Sequence, residues 1–283
     1  MVRNIFGWFQ VFKSLHFECK ICYRSLHSID DKQPELLMRT ITFSLVLFFI
    51  AAMFSCSTFD KFAPLSDEQM SQLLAKAKKQ AGNRSTDPTA VLSTSEIEAI
   101  LTRVDETQVD QVKQREIALL ETNKGTIAIA FYTEFAPEHT RSFKRLVTSG
   151  YYDGTRFHRV VDDFMIQGGD ILTRDDDPGN DGTGGPGYTV PAEFNGVPHD
   201  LGILSMARTN DPNSAGSQFF ICLSREKTRG LDGQYTVFGK VIGGLDVVKT
   251  IGKIQTRPNR YGENSTPVEP VYRSEERRVG KEC

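Results

Sequence analysis

Apolar and polar positions change their pattern several times along this chain. From Ile41 to Phe54 (ITFSLVLFFIAAMF) nearly every position is apolar, with Met38-Arg39-Thr40 just ahead. The run is shorter than the roughly 20 residues a helix needs to cross a bilayer. It fits the apolar region of a secretory signal, about 7–15 residues long. Residues 57–113 are polar. There Ser66 with Gln69, and Ser93 with Glu96, form capping boxes that predict a short helix to about Gln80 and a second one carrying Ile97, Ile100 and Leu101. Gly82–Pro88 separates them, and no heptad persists. From Glu116 the pattern turns to short apolar-rich runs: Glu116–Thr122, Thr126–Tyr132, Phe157–Val161, Phe164–Gln167, Gly202–Ala207, Gln218–Leu223 and Thr236–Val241. A helix is predicted to open at Pro137 and stop before Gly150, with Phe143, Leu146 and Val147 as its buried stripe. A second runs over Leu245–Ile251. Many short strands with two helices point to a mainly β domain, a closed antiparallel barrel with helical caps.

The resulting division is a signal peptide over 38–55, a polar, partly helical spacer over 56–113 and a folded domain over 114–272. Secretory signals sit at the N-terminus. Met38 is therefore the expected start, and residues 1–37 an upstream, non-native extension without clean periodicity. Arg273–Cys283 (RSEERRVGKEC) turns abruptly charged and resembles translated sequencing-adapter read-through, a non-native tail with no function. Cys56, following small Ser55, looks like the lipidated cysteine of a bacterial lipoprotein signal, although Met53-Phe54-Ser55 lacks the usual leucine and small residue. A plain signal peptide and an uncleaved anchor are the alternatives.

Composition narrows the function only by exclusion. Apolar residues are 39%, charged residues 25%, and the net charge is −2, so no basic excess points to nucleic acid. Cys19, Cys22, Cys56, Cys222 and Cys283 are too scattered for a disulfide framework, and Cys19-x-x-Cys22 has no second pair at zinc-site spacing. Gly182-Thr183-Gly184-Gly185-Pro186-Gly187 has the letters of a dinucleotide loop but neither the strand before nor the helix after. Asp175-Asp176-Asp177 lacks the ligand alternation of a calcium loop. The five histidines show no H-x-x-x-H spacing, and no serine sits in G-x-S-x-G. Metal, nucleotide and covalent chemistry thus find little support.

What remains is three blocks. The first is Phe157-His158-Arg159-Val160-Val161-Asp162-Asp163-Phe164-Met165-Ile166-Gln167-Gly168-Gly169-Asp170. Arg159 and Gln167 would share a face of one unbroken strand, but Asp162-Asp163 is expected to interrupt it. The second is Gly202–Ala207 followed by Gly216–Ile221, and the third Leu231–Val241. Cys222, among apolar neighbours, reads as a buried, inert thiol, and His158 as structural.

In order and spacing these blocks resemble the cyclophilins, over about Glu116–Tyr272. The resemblance implies a closed eight-stranded antiparallel barrel capped by two helices, no cofactor, no metal, and peptidyl-prolyl cis/trans isomerisation. It places the catalytic arginine at Arg159 and the substrate-holding glutamine at Gln167. The proline pocket falls at Phe164, Met165, Phe220 and Leu231, and groove positions at Ala207, Gln218 and Tyr235. Many members carry Trp at Gly230, His at Tyr235 and Asn at Arg208; the missing Trp weakens any expectation of tight cyclosporin binding. The expected protein is a monomeric isomerase acting on Pro-containing polypeptides in the periplasm of a bacterial envelope, held to the membrane by a lipid on Cys56 and binding no nucleic acid. The alternative is a cyclophilin-fold module that binds Pro-containing segments with little turnover, which Gly230 favours.

Overall fold

The computed structural model describes residues 62–80, 87–113 and 116–280. Residues 1–37, the signal segment 38–55, Cys56 and most of the Gly82–Pro88 break lie outside the described residues.

Both capping boxes form. The Ser66 N–H donates to Gln69 Oε1 and the Gln69 N–H to Ser66 Oγ, opening α1 (Asp67–Gln80). Ser93 and Glu96 do the same for α2 (Thr94–Glu106), whose Ile97, Ile100 and Val104 are buried. β1 (Glu116–Thr122) and β2 (Gly125–Phe131) make a tight hairpin. α3 (Pro137–Ser149) opens on proline and stops at Gly150, whose left-handed φ of 76° ends the helix at low steric cost. β3 (Phe157–Val161) and β4 (Met165–Gly168) follow, then a 3-10 turn at Ile171–Arg174, β5 (Ile203–Met206) and β6 (Phe219–Cys222). The single turn α4 (Arg225–Thr228), β7 (Val237–Gly243) and α5 (Leu245–Gly252) come next. The small hairpin β8 (Thr256–Pro258) and β9 (Asn264–Pro267) precedes β10 (Arg273–Gly280).

The strands join in the order β10-β1-β2-β7-β5-β6-β4-β3, and every pair is antiparallel. This corrects the closed eight-stranded barrel. β1–β7 curl into a half-barrel, β10 adds to the outer edge of β1, and no strand ladder joins β10 to β3. The gap is crossed by one bridge, Arg156 to Tyr272. Backbone bonds flank it: Gly154 N–H to Arg273 O (2.8 Å), Phe157 N–H to Val271 O (2.9 Å) and Arg273 N–H to Thr155 O (3.0 Å). The segment read as a charged tail thus pairs with β1 from Thr122 to Glu116. Arg273 is buried, its guanidinium 4.6 Å from the Tyr152 ring centroid and 5.1 Å from that of Phe219. Five helices occur among the described residues: the two expected in the spacer, the two expected on the domain, and the single turn α4, which was not expected.

Alternation along the strands explains why the segment before β1 docks. Ala118 and Leu120 of β1 face the main core with Ile127, Ile129 and Phe131 of β2, around Phe143. Ile117, Leu119, Ala128 and Ala130 face the other way, and with Ile242 they form a second cluster covered by Leu65, Met70, Leu73, Leu74 and Ala77. A strand apolar on both faces must be covered on both. The cover here is α1, tied down by the Leu65 N–H to Ile242 O at 2.6 Å. Its apolar contacts amount to roughly 3–5 kcal/mol. Removal of residues 1–80 should therefore lower the melting temperature by roughly 10 °C; an unchanged midpoint in calorimetry would mean that α1 adds nothing to the domain.

Candidate active site

The β3–β4 turn reverses at Asp162-Asp163, where Asp163 adopts a φ of 58°. The interruption makes two antiparallel strands of one segment. Arg159 and Gln167 share a face because they stand directly opposite each other across the hairpin. The same rung continues through Phe220 of β6, opposite Gln167, and Ser205 of β5, opposite Phe220.

On this outer face Met165, Phe220, Cys222, Ile203 and Val237 form a third apolar cluster, with Phe164, Ala207, Leu231 and Tyr235 packed at its margin. They leave a cavity of about 140 Å³, lined by Arg159, Phe164, Met165, Gln167, Ala207, Arg208, Phe220, Leu231 and Tyr235. Each pocket position expected from sequence borders this cavity except Gln218, which lies one hydrogen bond away. Its Oε1 accepts from Gln167 Nε2 at 3.1 Å, and its Nε2 donates to the carbonyls of Gly182 and Gly184 at 3.0 and 2.9 Å. The glycine-rich segment rejected as a nucleotide loop is thus the strap that orients Gln218. Gly230 lies beside the pocket with open space where a side chain would project.

Arg159 is held on both sides. Its Nη1 lies 3.3 Å from Gln167 Oε1 and 3.8 Å from Met165 Sδ. Its Nε and Nη2 donate to the two carboxylate oxygens of Glu263 at 2.6 and 2.7 Å. A bidentate fork fixes both position and plane of the guanidinium. Glu263 lies on the loop between β8 and β9, and no pattern in its neighbourhood pointed to it.

The apolar floor is also braced. Phe220 lies between His199, stacked at 6.0 Å, and Tyr235, edge-on at 5.8 Å. His199 is buried, with Nδ1 2.9 Å from Asp232 Oδ1 and Nε2 3.0 Å from Ser205 Oγ. Burial holds its pKa below the usual histidine range, against the pull of Asp232. Asp232 also takes a two-point contact from Arg225 (3.0 and 2.6 Å), which pins the loop after Leu231. This brace was not legible from sequence. Burial pushes the Cys222 thiol up to about 12, so it stays protonated at neutral pH, as the inert reading expects. Burial, then the neighbouring Arg159, lowers His158 to about 4, so the ring is neutral and no proton donor at neutral pH. No group of three or more metal-ligating side chains occurs among the described residues.

The hydrogen bonds from Arg159 depress the Glu263 pKa below its ordinary 4.5. A depressed carboxylate stays ionised above its ordinary value and loses the contact only as pH falls through the lower, folded one. The Arg159 Nε–H resonance should therefore persist at pH 5 in nitrogen-correlated NMR spectra and fade in stronger acid. It should be absent or exchange-broadened throughout in Glu263→Gln. An equally protected signal in that variant would remove the clamp.

Comparison with known proteins points to one family. Residues 117–272 match the family model described as cyclophilin type peptidyl-prolyl cis-trans isomerase/CLD. A peptidyl-prolyl cis-trans isomerase-like 1 from Rhizopus delemar is 44% identical over 150 residues, covering 52% of this chain and 87% of that protein. A peptidyl-prolyl cis-trans isomerase from Synechococcus elongatus is 48% identical over 123 residues, covering 44% and 78%. A crystal structure of a Cryptosporidium parvum cyclophilin type isomerase superposes with a TM-score of 0.52 at 29% identity, covering 59% of this chain and 99% of the other. The same parasite protein was also solved in the presence of the dipeptide ala-pro.

Proposed function

The chain belongs to the cyclophilin type peptidyl-prolyl cis-trans isomerase family, and we propose that it turns X-Pro bonds non-covalently, with Arg159 donating to the proline nitrogen while the bond is twisted. The observation that carries this reading is a clamped guanidinium on the wall of a cavity with an apolar floor, large enough for a proline ring. The ala-pro dipeptide studied with the Cryptosporidium protein supports Pro-containing peptides as the ligand class.

The uncatalysed barrier, about 18–20 kcal/mol, comes from amide resonance. For X-Pro bonds it gives turnover in tens to hundreds of seconds. Rotation breaks the resonance and returns a lone pair to the nitrogen, which Arg159 can meet because its fork stays charged and rigid. A hydrogen bond to a charged group contributes about 1.5–3 kcal/mol, roughly ten- to hundredfold in rate. The apolar floor of Phe164, Met165, Phe220 and Leu231 adds to this, since a twisted amide is less dipolar than a planar one. Gln167 holds one side of the substrate backbone while the other rotates. These contacts accelerate the reaction only as far as they favour the twisted state over the planar one. No bond is made or broken, so no proton needs to move and no cofactor is called for.

Arg159→Ala in the full chain should reduce kcat/KM on a short proline peptide at least tenfold with the circular dichroism unchanged. Arg159→Lys should recover little, because an ammonium cannot form the fork. A folded wild type without turnover would replace catalysis with simple binding of Pro-containing segments.

We also propose that the protein acts outside the cytoplasm, in the bacterial envelope, on a lipid carried by Cys56. The apolar run Ile41–Phe54 directly before that cysteine supports the reading. No helix among the described residues is long and apolar enough to cross a membrane. Cells fed labelled palmitate should label the wild type and not Cys56→Ser, which should move to the soluble fraction. Equal labelling of both would discard the anchor.

A further inference from the structure

We infer that Arg208, backed by Phe194 and Tyr235, makes the pocket rim select proline segments that carry an acidic residue beside the proline. This deepens the isomerase reading and rests on it. Arg208 follows Ala207 directly and lines the same cavity as Arg159. Its guanidinium carbon lies 4.6 Å from the Tyr235 ring centroid and 6.0 Å from that of Phe194.

The partners of the two arginines differ in kind. Arg159 faces the carboxylate of Glu263, which offsets its charge. Arg208 donates only to main-chain carbonyls: Nε and Nη2 to Gln234 O (3.1 and 3.0 Å), and Nη1 to Thr209 O (2.8 Å) and Asn210 O (3.4 Å). These bonds fix the group without neutralising it. The acid on the neighbouring loop, Asp211, is turned to its own backbone, accepting the Asn213 N–H at 2.9 Å. Among the described residues no carboxylate stands within ion-pair distance of Arg208, whereas Arg225 has both Asp200 and Asp232. The cavity lining therefore holds two fixed cations, Arg208 without a carboxylate partner and Arg159 paired with one.

Phe194 gives this cation a platform. It is 42% exposed, yet its neighbours are pinned. Glu193 accepts the N–H groups of Glu138 and His139 (3.1 and 3.0 Å), serving the start of α3, where Ala136 provides no side-chain cap. Asn195 Nδ2 donates to Val237 O at 2.9 Å and to Glu193 O at 3.1 Å. A lone exposed phenylalanine is ordinary; one held between two anchored neighbours and beside a stacked guanidinium is a preformed contact surface. A substrate carboxylate there would meet a charge-assisted donor that has already lost its side-chain freedom.

The test uses the full chain and a neutral host peptide with one X-Pro bond. Glu, Gln or Lys is placed immediately before the proline in one series and immediately after it in another, with turnover read by NMR exchange. In at least one series the Glu peptide should exceed the Lys peptide in kcat/KM about three- to tenfold at low salt, and less at high salt. Arg208→Gln should bring the ratio near one, whatever it does to the common rate, and Arg208→Lys should keep the ranking. Equal turnover of Glu and Lys peptides in both series, or a ratio that survives Arg208→Gln, would overturn the assignment. Absence of turnover on every peptide would instead fail the isomerase reading. Fluorescence polarisation of the same peptides, labelled, would then decide the charge preference, and equal Kd values for Glu and Lys would reject it.

Discussion

The register of the antiparallel ladder is the constraint from which the rest of the site follows. Side chains alternate across a strand, so a shift of one residue exchanges the two faces. On β6 the alternation sends Phe219 and Ile221 into the main core and Phe220 and Cys222 to the outer cluster. Because Gln167 stands opposite Phe220, and Arg159 opposite Gln167, one rung carries the floor of the cavity, the amide and the cation together. A slip of β6 would put Phe219 in the pocket and break the aromatic packing with Phe143, Tyr152 and Phe238. Core stability and site geometry are therefore one requirement on this strand.

Around that rung the polar groups are arranged by reach rather than by sequence neighbourhood. Glu263 crosses from the β8–β9 loop to Arg159, Gln218 is strapped to the carbonyls of Gly182 and Gly184, and Asp232 braces His199 beneath Phe220. Each contact fixes a side chain that would otherwise have rotamer freedom to lose on binding. The pocket is thus organised before any peptide arrives, while the side at Gly230 remains open.

Much of this was legible in the chain. The three blocks carried the pocket, the two capping boxes carried α1 and α2, and Pro137 and Gly150 bounded α3. The pairing of Arg159 with Gln167 came out on one face, through a hairpin rather than a continuous strand, because Asp163 takes the left-handed turn conformation. The docking of α1 has a trace in the sequence: Ile117-Ala118-Leu119-Leu120 and Ile127-Ala128-Ile129-Ala130 are apolar at every position, which a strand with one wet face would not be. Glu263 and Phe194 left no trace, since neither belongs to a motif and each gains its role only from residues distant in sequence. The open seam is not legible in the sequence, because strand count says nothing of whether the two end strands share a ladder.

The pairing of β1 with β10 bears on the order of events during synthesis. Glu116 finds its partner at Gly280, and the seam at Thr155 waits for Val271 and Arg273. The β1–β2 hairpin can form from local sequence, but its outer edge stays bare until more than half of the chain has followed it. A chain held in that state offers an unpaired strand beside an apolar face, the combination that recruits other chains. An isomerase of this build is therefore itself a client for protection while it is being made.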